Sequence, residues 1–305
     1  MKIGVVGAGF VGAAAGYAMV LRGSCSDLVL VDANAVKAEA EAADIGDAAP
    51  VSYPVRVTAG GYDALADASL VVITAGASQK PGEDRLSLLT RNAAIFREII
   101  PQVLQNAPGA VIVVATNPVD ILTDLTARLA GPEMAGRVFG SGTVLDTARL
   151  RAEIATRANV DPQHVHAYVL GEHGDSEMIA WTHADIAGLP ISEFFAVRGL
   201  NWTPEIQFEV AAKVRGAAGA IIKGKGATYF GVGAGLARIA EAVLRDARAV
   251  LTVSAPSKDY GVSLSLPRLV GGGGLLDEIK PVLSEEEAAA LAASAAILTA
   301  AGAQL

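Results

Sequence analysis

The sequence predicts an α/β protein, with a doubly wound parallel sheet in its first half followed by an α+β domain. Three observations carry this. Residues 2–6 form a short apolar run of strand type, a glycine-rich turn follows, and residues 13–21 then read as a buried helix. Further strand-type runs at 28–32, 55–58, 70–74 and 110–115 alternate with apolar helical patterns, as parallel βαβ units wound on both faces of a sheet require. The chain has 305 residues, beyond the size at which a single core usually stops growing, so two domains are expected.

Composition narrows the function classes. With 52% hydrophobic and 18% charged residues the chain belongs among compact globular proteins. A net charge of -8 argues against nucleic acid or an anionic membrane as the main partner. Cys25 is the only cysteine, so no intrachain disulfide or thiolate metal cluster is available, and a cytoplasmic location is expected. Residues 3–21 form an uncharged run of 19 behind Lys2, long enough for a signal or membrane segment. Gly4, Gly7, Gly9, Gly12 and Gly16 interrupt it, which speaks for a turn between strand and helix instead.

That turn is Gly7-Ala8-Gly9-Phe10-Val11-Gly12. Gly7 suits the tight bend, Gly9 lets backbone amides approach a pyrophosphate, and Gly12 permits close packing of helix on strand. The helix N-terminus then faces the negative charge. Residues 28–31 lead into Asp32, twenty residues beyond Gly12, where a carboxylate accepts hydrogen bonds from the adenosine ribose. An acid there favours NAD, because a 2′-phosphate would meet a like charge. In such sheets ligands bind beyond the carboxyl ends of the strands where strand order reverses, so Gly76 and Thr116-Asn117-Pro118 are expected to border the nicotinamide. Residues 75–85 form a polar stretch containing Gly76 and Gly82 that reads as a lid, with Arg85 as a cation able to polarise a carbonyl on closure.

The change from the dinucleotide-binding half to the substrate-binding half is expected near Gly142, giving domains of 1–142 and 143–305. Residues 145–158 read as a helix that sets Asp146 and Arg149 on one face, about a turn apart. Read with Gly171-Glu172-His173-Gly174-Asp175-Ser176, they suggest a site in which Asp146 orients His173, the proton carrier, and Arg149 binds a carboxylate. Residues 164–170 read as a strand, 271–274 as a turn between late strands, and 284–301 as a helix capped by Ser284. His164 and His183 read as exposed or locally bonded, and no metal site is expected.

These motifs resemble the NAD-dependent L-lactate/malate dehydrogenases, and within them the bacterial L-lactate dehydrogenases. The likeness runs end to end. It includes the glycine-rich turn, Asp32, Gln79-Lys80-Pro81-Gly82-Glu83-Asp84-Arg85, Thr116-Asn117-Pro118-Val119-Asp120, Gly142-Thr143-Val144-Leu145-Asp146, Gly171-Glu172-His173-Gly174-Asp175 and Lys225-Gly226-Ala227-Thr228. The resemblance implies His173 as proton donor and acceptor, Asp146 as its partner, Arg149 as the carboxylate clamp and Arg85 as the polarising lid arginine. It places Asn117 and Thr228 in the substrate pocket. Toward NAD it implies Gly7, Gly9, Val11, Gly12, Asp32, Lys37, Tyr62, Gly76, Ala77, Asn117 and Ser141.

Gln79 stands where the resembling malate enzymes carry an arginine for a second substrate carboxylate. Closing a lid on a dicarboxylate opposite a neutral side chain would bury an unpaired charge, so a monocarboxylic 2-oxo acid is expected, with pyruvate and L-lactate as the substrate pair. Arg151 lies two residues beyond Arg149 and so points away from it, and with His166 it reads on spacing alone as surface. The resemblance instead matches Arg151 and His166 to a pair that binds fructose 1,6-bisphosphate across a subunit interface, which implies a homotetramer. Two rival functions stay open at this point: a dehydrogenase of bulkier 2-hydroxy acids, and a dinucleotide-binding protein that has kept the fold without turnover.

Overall fold

The computed structural model describes residues 1–77 and 85–305, and the side chains at 85 and 86 are outside that description. Six strands run parallel: β1 (Lys2–Val6), β2 (Asp27–Val31), β3 (Arg56–Ala59), β4 (Ala68–Ile73), β5 (Val111–Val114) and β6 (Val138–Gly140), in the order β3-β2-β1-β4-β5-β6. Strands buried on both faces need near-continuous apolar sequence, which Val111-Ile112-Val113-Val114 supplies. Alternate residues then feed opposite cores: Leu28 and Leu30 join Ile3, Val5 and Val72 on one face, while Val29 and Val31 join Val6, Val71 and Ile73 on the other.

Helices α1 (Phe10–Leu21), α2 (Ala35–Asp47), α3 (Arg85–Asn106) and α4 (Val119–Ala130) lie between these strands in sequence. Strand order reverses between β1 and β4, so the turn after β1 and the segment after β4 sit side by side. They are tied by Thr74, whose hydroxyl donates to the Gly7 carbonyl at 2.7 Å. Helix α1 starts at Phe10, three residues before the predicted residue 13, so Gly12 lies in its first turn. A Cβ there would sit 1.9 Å from the Gly7 carbonyl oxygen, so the helix packs on its own entry turn rather than on the strand.

The second half contributes α5 (Val144–Ala158), the short strands β7 (Val165–His166), β8 (Val169–Leu170), β9 (Met178–Ile179), β10 (Asp185–Ile186) and β11 (Leu189–Pro190), and helices α6 (Ile191–Val197), α7 (Pro204–Lys225) and α8 (Phe230–Leu244). Next come β12 (Ala249–Ser257), β13 (Val262–Gly271), β14 (Gly274–Glu278) and α9 (Glu285–Gly302). The hairpin strands β12 to β14 extend the parallel sheet beyond β6, where Ser254 pairs with Gly140. One nine-stranded sheet thus passes through both halves of the chain. Arg268 on β13 is buried within it, donating to the carbonyls of Val253, Leu264 and Ala255 and pairing with Glu278 at 2.6 Å, although burial still outweighs that pairing and lowers its pKa.

The single strand read at 164–170 is divided. His164 ends a 3-10 turn that begins at Pro162, β7 pairs with β10, and β8 pairs with β9. Apolar alternation alone does not reveal the change of partner at Ala167 and Tyr168. The turn at 271–274 and the Ser284 cap lie where the sequence put them, and Glu287 completes a capping box with Ser284. No described helix is long and apolar enough to cross a membrane.

Two glycines give opposite expectations for stability. Gly233 on α8 lies against α1, where a Cβ would be 2.7 Å from the Ala14 backbone, so Gly233→Ala is expected to lower the unfolding free energy by about 1–3 kcal/mol. Gly219 lies inside α7 with nothing within 4 Å of a Cβ, so Gly219→Ala is expected to raise it by about 0.5–1 kcal/mol. Urea unfolding midpoints of the two variants check both signs.

Candidate active site

The cofactor side of the site is built by backbone. Gly7 has φ +108°, and a Cβ there would lie 2.4 Å from the Ala75 amide nitrogen, so this bend requires glycine. Around Gly9 the space is open, and the first turn of α1 has no side-chain cap. That combination leaves helix N-terminal amides facing a gap, which fits a pyrophosphate. Asp32 follows β2, accepting from the Ala8 amide at 2.7 Å with one oxygen and from the Asn34 amide at 2.9 Å with the other. It therefore clamps the turn as well as standing where a ribose would be read. Tyr62 lies near enough that burial, and then the Asp32 charge, raise its phenol pKa. Lys37 is exposed in the first turn of α2.

The crevice side is held together by a residue that sequence reasoning missed. Asn92, buried on α3, accepts from the Ala77 amide at 2.7 Å and donates to the Asn117 carbonyl at 2.9 Å, joining the segments after β4 and β5. Its signal was a polar amide within the helix, which in isolation reads as surface. Gly76 lies beside it, where a Cβ would be 2.4 Å from Thr116. Val11, Asn117, Ser141, Arg149, His173 and Thr228 line one cavity of about 160 Å³. Candidates named from widely separated parts of the sequence thus share one space.

Helix α5 is fixed before it presents its functional residues. Buried Thr143 at its start donates to the Val169 carbonyl, and the Thr147 hydroxyl accepts from the Val169 amide at 3.0 Å. These bonds set α5 against β8, whose chain continues directly into the histidine loop. That loop is fixed in turn by three other elements. Gly171 exchanges backbone hydrogen bonds with Ser265 on β13, the Glu172 amide donates to the Ser294 hydroxyl of α9, and the His173 amide donates to Asp120 of α4 at 2.8 Å.

With both supports in place, His173 Nδ1 lies 2.5 Å from Asp146 Oδ2, and Asp146 Oδ1 accepts from Arg149 Nη1 at 2.9 Å. Burial alone would disfavour the imidazolium, but the Asp146 hydrogen bond and charge, helped by Asp120 and Glu177, outweigh it and raise the His173 pKa to about 9. Burial would likewise raise the pKa of Asp146, yet His173 and Arg149 hold it below the usual carboxylate value. Asp120 is fully enclosed, and burial lifts it to about 6 despite the bond from the His173 amide. At neutral pH the site therefore holds a protonated imidazole. Asp120 entered the sequence reading only as the last residue of the Thr116–Asp120 motif, with no role, and Glu177 did not enter it, because each acts through the fold.

Arg151 points away from this centre. Its Nε donates at 3.1 Å to the carbonyl of Ala167, one residue along from exposed His166, and its guanidinium lies 5.3 Å from the Tyr168 ring centroid. His183 bonds the Val282 carbonyl at 2.7 Å, anchoring a distant segment rather than a local turn. Gln79 and the other residues 78–84 of the stretch at 75–85 that reads as a lid lie outside the described residues, and Arg85 begins α3 with its side chain outside them too. Among the described residues no group of three or more His, Cys, Asp or Glu is placed to hold a metal ion.

A doubly wound sheet whose crevice opens onto a protonated histidine is the architecture of a nicotinamide-dependent oxidoreductase. Comparison with known proteins gives the particular family. Residues 1–140 match the lactate/malate dehydrogenase NAD binding domain and residues 143–304 the lactate/malate dehydrogenase alpha/beta C-terminal domain, so the chain belongs to the lactate/malate dehydrogenase family, with NAD as its cofactor. It is 56% identical over 298 residues to an L-lactate dehydrogenase of Deinococcus radiodurans and 58% identical over 299 residues to one of Chloroherpeton thalassium, each alignment covering 98% of this chain and 97% of the relative. The crystal structure of a minor L-lactate dehydrogenase from Enterococcus mundtii in a ligand-bound form superposes with a TM-score of 0.95 at 41% identity, covering 100% of this chain and 98% of that one.

The histidine also gives a stability prediction. Its folded pKa of about 9 exceeds the reference value of 6.5, so its contribution is fully present below 6.5 and is lost as pH rises through 9. The stability gap between the parent and His173→Asn is therefore expected to narrow across that interval. Urea unfolding of both proteins at the two ends of the interval measures it, and a gap that stays constant or widens contradicts the assignment.

Proposed function

We propose that the protein interconverts pyruvate and L-lactate, with His173 as proton donor and acceptor and Arg149 as the carboxylate clamp. The observation that carries this reading is the His173–Asp146–Arg149 cluster opening into the cavity shared with Asn117, Ser141 and Thr228. When bound, NADH supplies the hydride that reduces the carbonyl carbon. His173 gives its Nε2 proton to the carbonyl oxygen, and the Asp146 contact at Nδ1 keeps the ring oriented for it. The planar fork of Arg149 fixes the carboxylate, of which the Asp146 bond engages one nitrogen, and so orients the carbonyl toward the cofactor. Arg85 completes the charge stabilisation from the start of α3, and Gln79 selects against a second carboxylate. The cofactor residues are assigned as Gly7, Gly9, Val11, Gly12, Asp32, Lys37, Tyr62, Gly76, Ala77, Asn117 and Ser141, within a domain of residues 1–142. Residues 143–305 form the substrate domain.

The same reading extends to regulation and assembly. Arg151 and His166 are assigned to a fructose 1,6-bisphosphate site between subunits of a homotetramer in the cytoplasm. What supports it is the direction of Arg151, away from the catalytic cavity and toward the strand that carries His166.

Two kinetic outcomes test these assignments. NADH oxidation followed by absorbance should give a kcat/KM for pyruvate above that for oxaloacetate, and Gln79→Arg should move the ratio toward oxaloacetate; a ratio below one in the parent refutes the substrate assignment. Fructose 1,6-bisphosphate should lower the KM for pyruvate, with an effect that weakens as pH rises through the range where an imidazole loses its proton. Unchanged kinetics with the bisphosphate at about millimolar concentration would remove the effector site and leave the chemistry standing.

A further inference from the structure

Glu177 is a carboxylate to which the catalytic assignment gives no task. It is 5% exposed and stands four residues beyond His173, just ahead of β9. Its backbone is held on both sides, the amide donating to the Gly174 carbonyl at 3.2 Å and its own carbonyl accepting from Arg215 of α7 at 3.5 Å. Its Oε1 has no hydrogen-bond partner among the described residues. An ionised carboxylate in such a place is costly unless nearby charge compensates it. The charged groups that act on it are Asp146 and Arg149 from α5, His173 from its own loop and Arg215 from α7. Apart from Arg215, these are the members of the catalytic cluster. Reciprocally, the anions that favour the His173 imidazolium are Asp146, Asp120 of α4 and Glu177.

We propose that Glu177 is a positioning residue for the proton: a buried anion, out of contact with substrate, that holds His173 in its protonated form on the alkaline side of the working pH range. The inference rests on the pyruvate-reducing role assigned to His173. Burial, and then the Asp146 charge, raise the Glu177 pKa to about 7, below the value of about 9 at which His173 titrates. Glu177 is therefore charged while His173 is losing its proton, and its field opposes that loss. Below about 7 the carboxylate takes up a proton and the unpartnered oxygen is relieved of its charge. Asp146 suffices there, with Asp120 still charged down to about 6, because the falling pH itself favours the imidazolium. One buried group thus supplies its charge only in the range where the histidine needs it.

The test is the pH profile of kcat/KM for pyruvate in the parent and in Glu177→Gln, with thermal midpoints recorded to verify folding. The reduction needs the imidazolium, so the profile falls on its alkaline limb as His173 deprotonates. Glu177→Gln is expected to move that limb to lower pH by about half to one unit, which is roughly a three- to tenfold loss at the alkaline end, while the acidic-side plateau is kept. Glu177→Asp, which keeps the charge, should return the limb toward the parent's position. If Glu177→Gln fails to fold, Glu177→Met removes the charge with a side chain suited to a buried site and carries the same expectation. An unmoved limb, or a loss equal at every pH, overturns the proposal while leaving the reaction assignment intact. A parent that does not oxidise NADH with pyruvate overturns both.

Discussion

The Asp146 carboxylate is the constraint on which the site depends. One of its oxygens meets His173 Nδ1 and the other the Arg149 guanidinium, so a single buried anion sets the protonation of the imidazole and the position of the guanidinium. It is only 3% exposed, and a carboxylate at that depth persists because two cations neutralise it and two threonines fix the helix that carries it. Neither cation could be removed without leaving the other interaction altered. The coupling explains why His173 keeps its proton at neutral pH although burial pushes the other way.

The cofactor crevice and the catalytic cluster come from different halves of the chain, and their meeting is a matter of sheet continuity. Strand β6 ends at Gly140 and α5 begins at Val144, with Gly142 between them at φ +50°. A Cβ at Gly142 would lie 2.5 Å from the Ser265 hydroxyl and 2.6 Å from the Ser254 amide nitrogen, so the chain threads closely past β12 and β13 there. The same Ser265 forms the backbone bridge to Gly171 that fixes the histidine loop. One short region of β13 therefore helps to locate both partners of the Asp146–His173 contact.

Much of this was legible in the sequence because it depends on local pattern. Five of the six parallel strands announce themselves as apolar runs, while the three-residue β6 does not, the turn after β1 shows as spaced glycines, and the shared face of Asp146 and Arg149 as a spacing of three on a helix. What the sequence did not disclose depends on tertiary proximity. Nothing in the neighbourhood of Asn92 says that its amide joins two crevice segments, and nothing near Glu177 or Asp120 says that their charges converge on an imidazole. The division of 164–170 was hidden for the same reason: its two halves have similar side chains but different strand partners. The start of α1 was misplaced because glycine is a poor helix former, yet Gly12 sits within the first turn where the close approach to Gly7 demands it.

The site depends above all on Asp146 holding His173 as an imidazolium well above neutrality. Nitrogen-15 NMR of histidine-labelled protein, with His173 assigned by difference, reads the ring's protonation directly and needs no substrate. The expected result is a His173 ring that is doubly protonated at neutral pH and titrates near 9, with a marked fall of that midpoint in Asp146→Asn. A ring that titrates at or below 6.5 in the parent, or a midpoint unchanged by Asp146→Asn, would contradict it.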